Sequence, residues 1–202
     1  MGIFVIADEI YEKVIYDGMK HFSLGSMPEI KDQIITVNGV SKAYSMTGWR
    51  IGFLAASKEA VDAAEKVQSQ ATSGPNSIAQ KAALAAFSSS DDEVHKMTVE
   101  LKRRRDYIYS EMITIPDISS TKPTGAFYLF PNVSEFFGTS FTGKKIKTYD
   151  DVAYYLIQET KVVTVPGSGF GAKENIRLSY TCSMQELEKV VARMRDAFPK
   201  LK

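Results

Sequence analysis

The residues best suited to chemistry are Asp8, Tyr11, Lys42 and Arg50, which border apolar runs of the sequence. Asp8 directly follows the apolar run at 3–7, and Tyr11 lies three residues further on. Lys42 and Arg50 belong to a polar, glycine-punctuated segment between two apolar runs. Because open α/β sheets bind ligands outside the carboxyl ends of their strands, we expect these four side chains to converge.

This set of groups suits pyridoxal 5′-phosphate. An amine can form a Schiff base with the aldehyde of that cofactor and can later move a proton between carbon atoms. A carboxylate beside the pyridine nitrogen keeps the nitrogen protonated, so that the ring can accept electrons from the substrate. A phenol can hydrogen-bond the ring hydroxyl, and an arginine with a serine can bind the phosphate. The set therefore predicts a cofactor site centred on Lys42.

Ordered motifs along the whole chain strengthen this prediction. They are DEIY at 8–11, NGVSK at 38–42, MTGWRIG at 46–52, PTGAFY at 123–128, PGSGFG at 166–171 and IRLSY at 176–180. In this order they resemble the class I/II aminotransferases of the aspartate aminotransferase fold. Within that family they are similar to the bacterial and plant-plastid branch that includes prephenate aminotransferases.

The resemblance implies a role for each residue of the cofactor site. Lys42 would be the catalytic residue, since it would bind the cofactor covalently and shuttle the proton. Asp8 would pair with the pyridine nitrogen, and Tyr11 would meet the ring oxygen. Ser41 and Arg50 would hold the phosphate.

Further residues are implied on the substrate side. Arg177 would bind the substrate α-carboxylate through its planar fork, and Gly125 and the loop at Phe170–Gly171 would line the substrate side. The segment 72–77 lacks the arginine that some aspartate aminotransferases supply from a partner subunit. In the branch resembled, a basic residue of the other half does this work. The family thus implies two substrates, an amino acid (aspartate or glutamate) and a 2-oxo acid. It also implies that the parent protein is a homodimer.

Alternating strands and helices must position these residues. Apolar runs predict strands at 3–7, 33–38, 51–56, 126–130, 162–165 and 176–180. Helical spacing and capping residues predict helices at 58–71, 77–87, 91–115 and 149–159, and a last helix after the capping box at 183–186. The first of these helices would be capped by Ser57 and has an apolar stripe of Val61, Ala64 and Val67. This order of strands and helices predicts an α/β fold.

The first predicted strand, at 3–7, is apolar throughout, which is typical of a strand buried on both faces. Such a strand needs neighbours, so we expect further sequence before it in the parent protein. The family's glycine-rich phosphate turn, its ring-stacking aromatic residue and a ring-contacting asparagine normally precede this strand. The resemblance therefore implies the C-terminal part of a fold-type I transferase that depends on pyridoxal phosphate. It would comprise a partial large cofactor-binding domain, residues 1–95, and a small α/β domain, residues 96–202.

The long helix predicted at 91–115 has an apolar stripe and a basic cluster. The stripe consists of Val94, Met97, Leu101, Ile108 and Met112. Lys102, Arg103 and Arg105 are expected to form the solvated face. No groove of interleaved aromatic and basic residues accompanies them, so a nucleic-acid partner is not predicted.

Composition excludes several other classes. The chain has 202 residues, 44% of them hydrophobic, and a formal net charge of +1, which is ordinary for a soluble domain. No apolar run reaches the roughly 18 residues of a membrane span. His21 and His95 have no second histidine or cysteine at ligand spacing, so no metal site is predicted. The single Cys182 favours a reducing compartment, the cytoplasm, or the plastid of a plant.

Two alternatives remain open at this point. A carbon–sulfur lyase could use the same lysine and aspartate on the same scaffold. The chain could also be a catalytically incomplete fragment that cannot hold the cofactor, because the phosphate turn of the family is absent from it.

Overall fold

The computed structural model describes residues 2–201, and the chain divides into two compact units, residues 1–98 and 99–202. We call them unit 1 and unit 2. The assignment of domains with a boundary near residue 95, and of their roles, stays a prediction.

Unit 1 is built on a three-stranded sheet with the order β1-β2-β3. The strands are β1 (Val5–Asp8), β2 (Ile34–Gly39) and β3 (Gly52–Ala55). The helices are α1 (Lys58–Ala71) and α2 (Ser77–Ser88), followed by the start of α3 (Asp92–Met112). Strands β1 and β2 run parallel, whereas β2 and β3 run antiparallel. The carboxyl ends of β1 and β2 therefore lie side by side.

Strand β1 is not buried, and the expectation of burial on both faces is wrong for the described chain. Ile6 is 71% exposed, and its neighbours Ile3 and Phe4 are exposed to a similar degree. Among the described residues β1 pairs only with β2, and no helix of unit 1 buries it. The apolar run is typical of a strand that packs on both faces, but nothing among the described residues covers it.

Both complete helices of unit 1 begin at side-chain caps. The Ser57 hydroxyl accepts a hydrogen bond from the Ala60 N–H at 3.4 Å, as its position before α1 predicts. The Asn76 side chain accepts hydrogen bonds from the N–H groups of both Ile78 and Ala79 and so caps α2. Helix α1 nevertheless has no buried residue. Its predicted stripe therefore has no cover within the described part of the chain.

Unit 2 contains an antiparallel sheet with the order β4-β8-β7 and a small hairpin, β5-β6. The strands are β4 (Tyr128–Leu129), β5 (Ser140–Phe141), β6 (Lys144–Lys145), β7 (Val165–Pro166) and β8 (Ile176–Ser179). Helices α4 (Tyr149–Thr160) and α5 (Met184–Ala197) complete the unit. Strands β4 and β7 are shorter than the apolar runs predict, because irregular segments take up the remaining residues.

The core of unit 2 lies between its sheet and its two complete helices. Its fully or almost fully buried side chains include Leu129, Leu156, Ile176, Leu187 and Met194. The Tyr155 hydroxyl joins α4 to the end of α5 by donating a hydrogen bond to the Ala197 carbonyl at 2.7 Å. Burial raises the pKa of Tyr155 to about 12, so the phenol stays protonated and keeps donating this bond at neutral pH.

Helices α4 and α5 begin at different kinds of cap. Helix α4 has a complete capping box of Thr148 and Asp151, which fits the [ST]-x-x-[DE] pattern but was not singled out from the sequence. Helix α5 begins at Ser183, as predicted, and the Ser183 hydroxyl accepts a hydrogen bond from the Glu186 N–H at 3.3 Å. Both helices thus satisfy N–H groups of their first turns locally.

One expectation about the basic cluster of α3, that all three of its residues are solvated, is wrong. Arg105 is fully buried rather than solvated. It lies four residues after Leu101 and three before Ile108, so it shares their apolar face. Arg105 donates a hydrogen bond to the Pro123 carbonyl at 2.7 Å and forms an ion pair with Asp106 at 2.9 Å.

Neither α3 nor any other described helix is both long and apolar enough to cross a membrane.

Candidate active site

Asp8 is the last residue of β1 and pairs with Val37 of the neighbouring strand. The Glu9 N–H continues the ladder by donating to the Val37 carbonyl at 2.8 Å. One carboxylate oxygen of Asp8 accepts a hydrogen bond from the Ile10 N–H at 3.2 Å. The backbone on both sides of Asp8 is therefore fixed, while its side chain remains exposed.

Lys42 lies in the compact connection between β2 and β3. The Val40 N–H donates to the Ile51 carbonyl at 3.4 Å, and the Ser45 N–H donates to the Lys42 carbonyl at 3.3 Å. Val40 and the neighbouring Ala43 are buried and anchor the turn. Lys42 itself is half-buried. A side chain of this length on an anchored turn is well placed to act as a positioned amine.

Gly39, at the end of β2, makes this connection sterically possible. A Cβ atom on Gly39 would lie 2.6 Å from the Ile51 carbonyl oxygen and 2.9 Å from the Cα of Gly52. Contacts to backbone atoms below 3 Å cannot be relieved by a side-chain rotation. Any larger residue would push β3 away from β2 and would displace the turn that carries Lys42.

Arg50 ends a short 3-10 helix, Thr47–Trp49, and adopts the left-handed conformation with φ 55° and ψ 47°. Its Nη1 donates a hydrogen bond to the Thr47 carbonyl at 2.9 Å. A non-glycine residue pays a backbone cost of roughly 1–2 kcal/mol in this conformation. Such strain is common where the chain must aim a functional side chain.

These elements surround one cavity of about 420 Å³. Asp8, Ser41, Lys42 and Arg50 all line it. The Lys42 Nζ lies 5.9 Å from the centroid of the Tyr11 ring. The structure thus brings together the five residues of unit 1 that the sequence singles out.

The cavity matches the donor and charge requirements of pyridoxal phosphate. It combines one carboxylate, one amine, one guanidinium and one hydroxyl, and its volume lies within the usual range of ligand pockets, about 300–1,000 Å³. The carboxylate and the cations come from different strand ends. The residues present therefore fit a ligand with a basic ring nitrogen, an aldehyde and an anionic phosphate.

A hydrogen-bonded group next to this cavity has no signal in the sequence. Glu9 is buried, and its carboxylate accepts a hydrogen bond from the Ser23 hydroxyl at 2.8 Å and lies 3.1 Å from the His21 Nε2. Ligand atoms of Glu9, Glu12 and His21 fall within 4.8 Å of one another. Because Glu9 already has donors on both carboxylate oxygens, this group ties the loop at 21–23 to the residue that follows Asp8.

The two predicted substrate-side residues lie in unit 2. Arg177 is in β8, with its Cζ 4.4 Å from the ring centroids of both Tyr128 and Phe170. Gly125 lies three residues before β4 and is half-buried. Of the two aromatic partners, Phe170 belongs to the loop expected on the substrate side, whereas Tyr128 was not singled out from the sequence, although it falls within the motif at 123–128.

Comparison with known proteins identifies the family. The profile of the family "Aminotransferase class I and II" matches residues 1–194. The chain belongs to this family, and its mixed α/β structure is a partial fold-type I transferase. Members of the aspartate aminotransferase family use pyridoxal phosphate.

Individual relatives agree with this assignment. An aspartate aminotransferase of Geobacillus stearothermophilus is 45% identical over 194 residues, which cover 96% of this chain and 48% of that protein. A probable aspartate/prephenate aminotransferase of Rickettsia bellii is 43% identical over 96% of this chain and 49% of that protein. The crystal structure of an aspartate aminotransferase from Rhizobium meliloti superposes with a TM-score of 0.94 at 38% identity, over 98% of this chain and 50% of that one. The chain thus spans about half the length of the curated relatives it matches.

Proposed function

We propose that this protein acts as an aminotransferase, in which pyridoxal phosphate is used to move an amino group between an amino acid, aspartate or glutamate, and a 2-oxo acid. The observation that carries the proposal is the convergence of Asp8, Ser41, Lys42 and Arg50 on one cavity. Family membership and the names of the relatives support it. Those names favour transamination over the elimination reaction of a carbon–sulfur lyase.

Each residue of the cavity has one task in this proposal. When bound, the cofactor supplies an aldehyde and a ring that accepts electrons from the substrate carbon. The Lys42 amine holds the cofactor and carries a proton to and from the reacting carbon. Asp8 keeps the pyridine nitrogen protonated by its negative charge, and the Tyr11 phenol hydrogen-bonds the ring oxygen. Ser41 and Arg50 bind the phosphate through a hydroxyl and a charged donor.

Substrate recognition is assigned to unit 2. Arg177 binds the α-carboxylate through two parallel N–H donors, a geometry that lysine cannot reproduce. Gly125, which has no side chain, leaves room for the substrate. We place the protein in the cytoplasm, or in the plastid if its source is a plant, by analogy with its bacterial and plant relatives.

A homodimer is part of the proposal. Trp49 and Ile78 are large, exposed apolar residues that line a second cavity, of about 740 Å³, together with Arg50. Clustered exposed apolar groups often mark protein interfaces. Sedimentation of wild type and Ile78→Lys tests the assembly: the substitution should shift a dimer towards monomer, whereas Val163→Lys in unit 2 should leave it intact.

Covalent trapping tests the cofactor site. Purified chain is mixed with pyridoxal phosphate and reduced with borohydride, and the labelled peptide is identified by mass spectrometry. We expect stoichiometric labelling at Lys42, loss of that label in Lys42→Ala, and full labelling in Lys58→Ala, which removes a lysine whose side chain is 87% exposed. Scattered labelling of surface lysines, or none, would contradict the proposal and would favour the incomplete fragment.

A further inference from the structure

The guanidinium of Arg177 contacts two aromatic rings at once. Its Cζ lies 4.4 Å from the centroid of the Tyr128 ring and 4.4 Å from that of Phe170. Two aromatic side chains therefore meet the same cation. Such contacts are attractive because the positive guanidinium meets the negative faces of the rings.

The strand pairing of unit 2 places Tyr128 beside Arg177. Ile176 and Leu178 are buried, so Arg177 lies on the opposite face of β8 together with Ser179. Tyr128 pairs directly with Ser179 across the antiparallel ladder. Arg177 is therefore its diagonal neighbour on the same face, within reach of an aromatic side chain.

The loop before β8 fixes the other ring. Phe170 ends a 3-10 helix, Gly167–Phe170, and the Ala172 N–H closes the turn by donating to the Gly167 carbonyl at 3.0 Å. A Cβ atom on Gly167 would lie 2.3 Å from the Ala172 oxygen, so this turn packs too tightly for any other residue. Phe170 also packs edge-on against Phe130, with centroids 6.0 Å apart. The ring is thus held in place although the residue is 49% exposed.

The N–H donors of Arg177 are available to a ligand. Within the part of the chain that the structure describes, Arg177 donates no hydrogen bond and forms no ion pair. The Glu174 carboxylate, three residues earlier, instead accepts a hydrogen bond from the Asn132 side chain at 3.1 Å. All five donors of a guanidinium lie in its plane. An anion that binds Arg177 through these donors therefore lies along the edge of the guanidinium.

We propose that Tyr128 and Phe170 are positioning residues that hold the Arg177 guanidinium in one plane and so select planar carboxylates over tetrahedral anions. This inference rests on the proposed role of Arg177 in binding the substrate. Both oxygens of a carboxylate fit in the plane of the fork. A phosphonate bound through two oxygens directs its third oxygen out of that plane, towards a ring. The two rings therefore act through Arg177 and need not touch the substrate.

An NMR titration of the purified chain tests this selection. The Nε–H signal of Arg177, assigned by its loss in Arg177→Lys, is followed as acetate or methylphosphonate is added. We expect wild type to bind acetate more tightly than methylphosphonate. Phe170→Leu and Tyr128→Leu should each weaken acetate binding about fivefold, the effect of losing one exposed cation–π contact. Both substitutions should also reduce the difference in affinity between acetate and methylphosphonate.

Variants that keep the ring serve as matched controls. Tyr128→Phe and Phe170→Tyr retain the aromatic face and should bind acetate like wild type. Val163→Ala changes a residue of unit 2 that is 72% exposed and should also have no effect. The backbone amide spectrum shows whether each variant is folded, and if Phe170→Leu fails to fold, Tyr128→Leu decides the outcome.

Three results would overturn the inference. The first is unchanged acetate affinity after removal of a ring, while Arg177→Lys, followed through the backbone amide shifts of β8, binds acetate poorly; this result would leave the carboxylate role of Arg177 intact. The second is equal affinity of wild type for acetate and methylphosphonate. The third is the absence of any saturable shift at Arg177. The labelling experiment at Lys42 involves only unit 1 and needs no carboxylate ligand. A failure of the cofactor proposal can therefore be told apart from a failure of this inference.

Discussion

Unit 1 and unit 2 differ in how far they bury their large apolar side chains. In unit 2 the apolar residues of β8 alternate with polar ones, and Ile176, Leu178 and Leu156 are buried. In unit 1 Ile34 and Val40 are buried, but the apolar run of β1 is exposed and helix α1 has no buried residue. The comparison teaches that unit 1 has a small core that leaves β1 and α1 open, whereas the core of unit 2 includes residues of its sheet and of both its complete helices.

The largest expected difference between the units is in the cost of truncating a side chain. Leu156→Ala should lower the free energy of unfolding of unit 2 by about 3 kcal/mol, because it leaves a cavity in a packed core. Ile6→Ala in unit 1 should cost less than about 0.5 kcal/mol, because the side chain is already in water. Urea denaturation with hydrogen exchange to resolve the units measures both values. Ile157→Ala, one residue along α4 and partly exposed, is the matched control.

A second expected difference is in surface apolarity. Ile6→Lys should reduce the binding of a hydrophobic dye and the self-association of the chain, because it places a charge on an open edge strand. Its effect on the free energy of unfolding should stay within about 0.5 kcal/mol. Val163→Lys introduces the same charge on unit 2 and should leave the dye signal unchanged. If Val163→Lys reduced dye binding more than Ile6→Lys, the expected contrast between the two units would be wrong.

The helix caps should contribute equally in the two units. Asn76→Ala removes the cap of α2 in unit 1, and Thr148→Ala removes that of α4 in unit 2. Each should cost about 1 kcal/mol, because N–H groups of the first turn lose their acceptor. Hydrogen exchange in the first turn of each helix measures the loss. Asn76→Asp retains an acceptor and should behave like wild type, whereas a silent Asn76→Ala would show that α2 does not depend on its cap.

The smallest expected effect is that acid loosens the first turn of α4 but not that of α2. Hydrogen bonds from the backbone N–H groups of Lys147 and Thr148 hold the pKa of Asp151 below its usual range. Because the folded pKa is depressed, this contribution is fully present above the unfolded value of about 3.9 and is lost as pH falls through the folded value. The first turn of α4 should therefore loosen below pH 4. Asp151→Asn should remove that pH dependence, and α2, capped by a neutral asparagine, should show none.

Local patterns predict local structure well in this chain. Ser57 and Ser183 were identified as caps because an oxygen precedes a helical apolar pattern, and the structure confirms both. The ends of β1 and β2 were expected to carry the site, and Asp8 and Lys42 do line one cavity.

For Arg105 the local pattern was misread, because its spacing from Leu101 and Ile108 already puts it on the apolar face of α3. Only its partner, the Pro123 carbonyl, depends on residues outside the helix.

The aromatic neighbours of Arg177 show the same limit in the candidate site. Tyr128 and Arg177 are separated by about fifty residues, and only the register of β4 against β8 makes them diagonal neighbours. Phe170 reaches the same guanidinium because a turn at Gly167 reverses the chain. Neither the register of two short strands nor the path of a loop can be read from periodicity. Motif resemblance could therefore nominate Arg177 and place Phe170 on the substrate side, but it could not show that Tyr128 and Phe170 contact the guanidinium.

The left-handed backbone conformation of Arg50 lowers stability at a position where the side chain is proposed to bind the cofactor. Glycine would adopt φ 55° without the Cβ penalty, so Arg50→Gly should relax the backbone while it removes the guanidinium proposed to bind phosphate. A selection for thermal stability alone would therefore enrich glycine there, and the surviving variants would have lost the guanidinium proposed to bind phosphate.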